Sequence, residues 1–193
     1  MKNYIQGLSI FKFFFILIYI FFTNFTVVLS SESIWDEAKK GNKVILIRHA
    51  LAPGGGDPAG LKIEDCKTQR NLNKAGIDQS KKIGKIFKGN KIPIDIVLSS
   101  EWCRCKDTAF HAFGRFKKFS ALNSTFSNPY IKNEPRQIKE IKKYLKIWDG
   151  KGKNLILVTH YSVITAITNA VPSSGEIVIA DKNLNVIGTI KTN

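Results

Sequence analysis

Cysteine and histidine are scarce here: of 193 residues, three are cysteine and three histidine. No four potential ligands fall at zinc spacing, which argues against a structural metal site. A G-x-S-x-G elbow is absent too, so a serine hydrolase lacks its nucleophile. No internal repeat occurs, and the one low-complexity patch is the glycine run at 54–56, so a solenoid is excluded. No break in composition suggests two domains, and the length suits one domain with a full core. Acidic residues are also few, 15 against 30 lysines and arginines, for a net charge of +15. Neither an aromatic stacking platform nor a recognised binding motif accompanies these lysines, so no nucleic-acid partner is expected. A field of this sign instead attracts small anions, although Lys81, Lys82 and Lys85 also read as the solvated face of a helix.

What the chain does have begins with residues 1–30, which differ from the rest. Lys2 supplies a positive start, residues 13–22 are an unbroken apolar run, and Val28, Leu29 and Ser30 precede a cleavage point before Ser31. This is the pattern of a secretory signal peptide. The rival reading is an uncleaved membrane anchor, for which residues 13–29 are short and are interrupted by Thr23, Asn24 and Thr26. Either way the domain, residues 31–193, is expected outside the cytoplasm: periplasmic or secreted, or membrane-anchored and facing outward. Removing Lys2 and Lys12 lowers the net charge by only two, to +13. In an oxidising compartment one disulfide is expected. Cys103 and Cys105 are too close for easy mutual bridging, so Cys66 pairs with one or the other.

Residues 43–47 (KVILI), 94–98 (IDIVL) and 154–158 (NLILV) are short runs rich in apolar and β-branched residues, suited to strands buried on both faces of a parallel sheet. Helical spacing lies between them. Asn73 is a plausible cap for a helix through Ile83 and Phe87 that stops at Gly89 and Asn90. Residues 102–113 read weakly as helix, residues 134–148 strongly, and a further helix spans about 161–169. After the break at 172–175 (PSSG), residues 176–180 and 185–190 form a closing hairpin. The alternation predicts an α/β fold: a three-layer sandwich with a mostly parallel central sheet flanked by helices and a C-terminal β-hairpin.

Ligands of such sheets gather beyond the carboxyl ends of the strands. The first strand delivers Arg48 and His49, the second Ser99, Ser100 and then Arg104, and the third His160. Two guanidiniums suit the oxygens of a phosphoryl group, and a neutral imidazole can attack phosphorus. His111 falls inside a predicted helix, away from the strand ends, and has no role in this reading.

These residues also carry a family resemblance. Residues 44–50 (VILIRHA) resemble the Arg-His-Gly signature of the histidine phosphatase, or phosphoglycerate mutase-like, superfamily. Residues 99–109 (SSEWCRCKDTA) resemble its second signature, 72–79 (LNKAGIDQ) its helix start, and 157–160 (LVTH) the segment that supplies its second histidine. The four signatures occur in family order and cover most of residues 43–165.

The resemblance implies a metal-independent phosphoric monoester hydrolase with no cofactor. His49 would be phosphorylated transiently, with Arg48, Arg104 and His160 holding the phosphoryl group; Arg70 would add a substrate contact or serve as a surface arginine. The substrate would be a small anionic phosphate, with an envelope glycolipid one fit, and membrane contact would come only through an uncleaved leader. The chain departs from the family pattern at Ala50, which replaces glycine, and at the general acid. Residues 122–126 (LNSTF) hold no carboxylate where one branch has Glu, and Tyr161 stands where another has Asp. This gap speaks against a mutase and favours good leaving groups, unless Asp57, Glu64 or Asp65 supplies the proton. A phosphate-binding or envelope-interaction protein that kept the arginines without turnover is the alternative.

Overall fold

The computed structural model describes residues 30–192, so the leader expected within residues 1–30 lies almost wholly outside the described part. A six-stranded sheet in the order β3-β2-β4-β1-β5-β6 forms its centre. β1 (Val44–Arg48), β2 (Ile94–Ser99), β3 (Lys117–Lys118) and β4 (Asn154–Thr159) pair in parallel. β5 (Ile177–Ala180) runs antiparallel to β1 and turns back into β6 (Val186–Ile190), the expected hairpin.

Alternation along the strands sorts the core into two layers. Ile45, Ile47, Ile156, Val158, Ile177 and Ile179 face one way. There they meet α1 (Ser31–Lys39), α2 (Lys74–Gly89) and α3 (Cys103–Phe113) through Trp35, Ile83, Phe87 and Ala109. Val44, Leu46, Leu155, Leu157 and Val178 face the other way. They are covered by α4 (Glu134–Ile147) and α5 (Tyr161–Thr168) through Ile141, Leu145, Val163 and Ile164. The chain is therefore the three-layer α/β sandwich that the alternation predicts, because strands apolar on both faces need a helical layer on each side. Among the described residues no helix is long and apolar enough to cross a membrane.

α2 is fixed both at its start and along the face it turns to the loop after β1. Asn73 caps it, its side chain accepting from the Gly76 N–H at 2.9 Å. Gly76 is glycine for reasons of space: a Cβ there would lie 2.0 Å from the Leu51 carbonyl oxygen, so helix and post-β1 loop touch backbone to backbone. The disulfide joins Cys66 to Cys103, which settles the pairing, and Cys105 stays a free, buried thiol. Two residues apart on a helix, Cys103 and Cys105 point to different sides, the first toward the Cys66 turn and the second into the core beside His160.

Candidate active site

Arg48, His49, Arg70, Arg104 and His160 line one cavity of about 210 Å³, together with Gly54, Gly55, Gly56, Asp57, Ser124, Phe126 and Tyr161. It opens where the carboxyl ends of β1, β2 and β4 converge, the edge at which open α/β sheets bind ligands. His111 lies outside it, on α3. Larger hollows exist elsewhere, but the convergent histidines and arginines are here.

The Ala50 backbone holds the His49 ring, and side chains from α2 and α3 hold the backbone that follows it. His49 Nδ1 lies 2.9 Å from the Ala50 carbonyl oxygen. A carbonyl only accepts, so Nδ1 carries the proton and Nε2 keeps its lone pair. The Ala50 N–H donates to Thr108 Oγ1 at 2.9 Å, and the Leu51 N–H donates to Gln79 Oε1 at 2.9 Å. Thr108 and Gln79, conspicuous in the sequence patterns, thus act by fixing the backbone that follows His49. Ala50 is buried and is not among the residues with positive φ, so the place where the resembled Arg-His-Gly signature has glycine needs no glycine conformation here.

His160 has the opposite tautomer. Its Nδ1 faces Arg104 Nη2 at 3.3 Å, and a guanidinium only donates, so Nδ1 accepts and the proton sits on Nε2. Nε2 lies 2.9 Å from Ser100 Oγ, which donates to Asn123 Oδ1 at 3.1 Å; Asn123 Nδ2 donates to Glu101 Oε2 at 2.8 Å. In this arrangement His160 orients Arg104. With this tautomer Nδ1 has no proton to donate.

The two imidazole rings stand edge to face with centroids 5.5 Å apart. Burial, reinforced by Arg104, pushes His49 down to about 3, and burial with Arg104 and His49 holds His160 well below the ordinary histidine range. Both are therefore neutral near pH 7. Arg48 donates from Nη1 to the Pro172 carbonyl at 2.9 Å and lies over the Tyr161 ring at 5.3 Å. Arg70 is no stray surface arginine: it reaches into the cavity and donates to the carbonyls of Gly56 and Ala52. Arg104 forms a two-pronged ion pair with Asp57. Burial lowers the affinity of Arg48 and Arg70 for their protons, yet guanidiniums stay charged.

Among the lining residues, then, three guanidiniums face one carboxylate. The surplus is two positive charges, which a dianion cancels. The Nε atoms of Arg48 and Arg104 are buried with no hydrogen-bond partner, donors that a ligand's oxygens would satisfy. Among the described residues no three His, Cys, Asp or Glu side chains are grouped to hold a metal ion.

Reasoning from strand ends reached Arg48, His49, Ser100, Arg104 and His160, and the resemblance added Arg70, but the link from Ser100 through Asn123 to Glu101 behind His160 was missed. Asn123 and Ser124 follow β3, a two-residue strand of lysines that no pattern announces. Only its pairing with β2 makes it a strand, so the sequence held no signal for them.

No family model matches the chain, and no curated protein matches it. Solved structures do. The protein histidine phosphatase SixA complexed with tungstate is similar at 16% identity and TM-score 0.57, over 78% of this chain and 97% of that one. A phosphohistidine phosphatase SixA assigned in Agrobacterium tumefaciens gives 19% identity and TM-score 0.52 over 78% and 97%. Phosphoglycerate mutase from Thermus thermophilus gives 16% and 0.50 over 77% and 98%. These likenesses cover nearly the whole of each of those chains, and they show that this chain has the histidine phosphatase fold.

Proposed function

We propose that the chain is a phosphatase that hydrolyses a small anionic phosphomonoester through a phosphohistidine on His49. The observation that carries this reading is the pairing of a neutral His49, its Nε2 lone pair free, with three cavity guanidiniums against one carboxylate. Nε2 attacks phosphorus while Arg48 and Arg104 hold the non-bridging oxygens, where positive charge fixed in advance stabilises the transition state. His160 gains a proton at Nδ1 in the presence of the dianion and becomes a further donor. Water then cleaves the phosphohistidine, and no metal is called for. Phe126 and Tyr161, rings 5.4 Å apart at the cavity's edge, offer an apolar wall for the organic part of the ester.

Other features support a reading of compartment and substrate. The Cys66–Cys103 disulfide suits an oxidising environment, which supports the reading of residues 1–30 as an export leader. A periplasmic or secreted enzyme with this charge fits phosphorylated metabolites or envelope glycolipid phosphates.

The test is phosphate release from p-nitrophenyl phosphate by the chain from Ser31 onward, without added metal. His49→Ala is expected to lower the rate at least about a thousandfold, as loss of a nucleophile does. A brief incubation of wild type with labelled substrate should leave base-stable, acid-labile label on the protein. Equal turnover in the variant would reject His49 as nucleophile, and anion binding without turnover in wild type would make this a binding protein.

A further inference from the structure

Of the three loop carboxylates that could supply a proton, Asp57 is the one that lines the cavity. Glu64 is exposed, and Asp65 is exposed and caps the turn at Cys66–Thr68 by accepting from the Lys67 N–H at 3.0 Å. Asp57 Oδ1 lies 2.5 Å from Arg104 Nη1 and Oδ2 lies 3.2 Å from Nη2, with Trp102 Nε1 donating to Oδ2 at 3.3 Å. The side chains of Arg104 and Asp57 are 3% and 10% exposed. A carboxylate thus sits on the same fork of donors that a phosphoryl group would use.

The segment carrying Asp57 follows directly on the glycine run. Gly54 and Gly56 adopt φ of 93° and 67°, and added Cβ atoms at Gly55 and Gly56 would meet nothing within 4 Å. Arg70 holds this loop by two backbone carbonyls, that of Ala52 before the glycine run and that of Gly56 at its end.

We infer that Asp57 is the proton donor to the leaving group, a role that rests on the phosphatase reading above. An incoming phosphoryl dianion takes over the Arg104 fork, and the displaced carboxylate takes one proton from solvent. The His49 Nε2 lone pair forms the N–P bond as the ester P–O bond breaks. Its electron pair stays on the leaving oxygen, which receives the Asp57 proton. In the second half, water attacks phosphorus and gives one proton to the Asp57 carboxylate. The N–P electron pair returns to Nε2, phosphate departs, and Asp57 loses its proton to solvent as it returns to Arg104. The chain then needs no carboxylate after β3 or after His160, the two places where it has none.

The experiment compares wild type with Asp57→Asn, which keeps an acceptor for Arg104 but has no acidic proton to give. The kcat/KM is measured for p-nitrophenyl, phenyl and ethyl phosphate, with thermal midpoints to verify folding. The expected result is a loss of about 100-fold or more on ethyl phosphate and a loss at least tenfold smaller on the nitrophenyl ester. The dependence of rate on leaving-group pKa should steepen accordingly. Asp57→Glu is expected to recover part of the ethyl phosphate activity, and it carries the comparison if Asp57→Asn does not fold. An equal loss on all three esters would make Asp57 a structural partner of Arg104, and an equal gain would make it only an occupant of the anion seat; either overturns the assignment. A wild type inactive on every ester would instead overturn the phosphatase reading, and the donor role with it.

Discussion

At the scale of single residues, the site keeps two imidazoles neutral in a place that will hold a dianion. This has a cost in acid. Above about pH 6.5, the ordinary histidine value, His49 and His160 are neutral whether the chain is folded or not. Below it the unfolded chain binds protons that the folded one refuses, because His49 lies at about 3 and His160 is also well down. Stability must therefore fall with pH, by about 1.4 kcal/mol per pH unit for each histidine, until the folded site itself protonates. Urea unfolding at intervals from about pH 7 to about pH 4.5 should show this decline, and His49→Asn and His160→Asn should each make it shallower. Variant curves parallel to wild type would show that the two imidazoles are not the source. The third titratable side chain of this cluster, the Cys105 thiol, is pushed up to about 12 by burial, so it stands beside His160 as a small apolar filler and not as a nucleophile.

At the scale of elements, the site is held from behind by α2 and α3. Gly76→Ala would drive a methyl group against the Leu51 carbonyl and shift the strand-to-loop junction that positions His49. A loss of about 1–3 kcal/mol in stability is expected from the overpacking, together with a fall in phosphate release. Gly89→Ala, whose Cβ would meet nothing within 4 Å, should stay within about 1 kcal/mol of wild type and serves as the control. If both variants behaved alike, the close approach of α2 to Leu51 would not matter. The same scale explains what was legible in the sequence. β1, β2 and β4 announce themselves through apolar residues at nearly every position, and their ends pointed to Arg48, His49, Arg104 and His160. α3 reads weakly because the face it buries carries Arg104 and Thr108, polar residues that dilute the apolar pattern. β3 is invisible because Lys117 and Lys118 become a strand only by lying beside Leu98 and Ser99. The choice of Cys103 over Cys105, the Asp57–Arg104 pair and the chain behind His160 depend on side chains meeting across loops, which spacing along one segment does not encode.

At the scale of the whole molecule, the charge of +15 gives an anionic ester an attractive field well beyond the cavity. Raising the salt from about 0.02 M to about 0.2 M should lower kcat/KM for a dianionic ester several-fold and leave kcat nearly unchanged, because screening acts on encounter and not on the bound state. A kcat that fell in parallel would place the effect inside the site instead. The sheet order has a consequence of another kind. β1, the strand that delivers Arg48 and His49, is one of the first elements in the chain, yet both of its neighbours, β4 and β5, come from residues 154–180. During synthesis it has no strand to pair with until most of the chain has been made. Folding must then wait on contacts far apart in sequence, which makes it slow. In that interval Val44, Leu46 and Ile47 present an open, apolar edge, so a nascent chain stopped before Ala180 is a candidate for a chaperone or for aggregation, long before it is a candidate for catalysis.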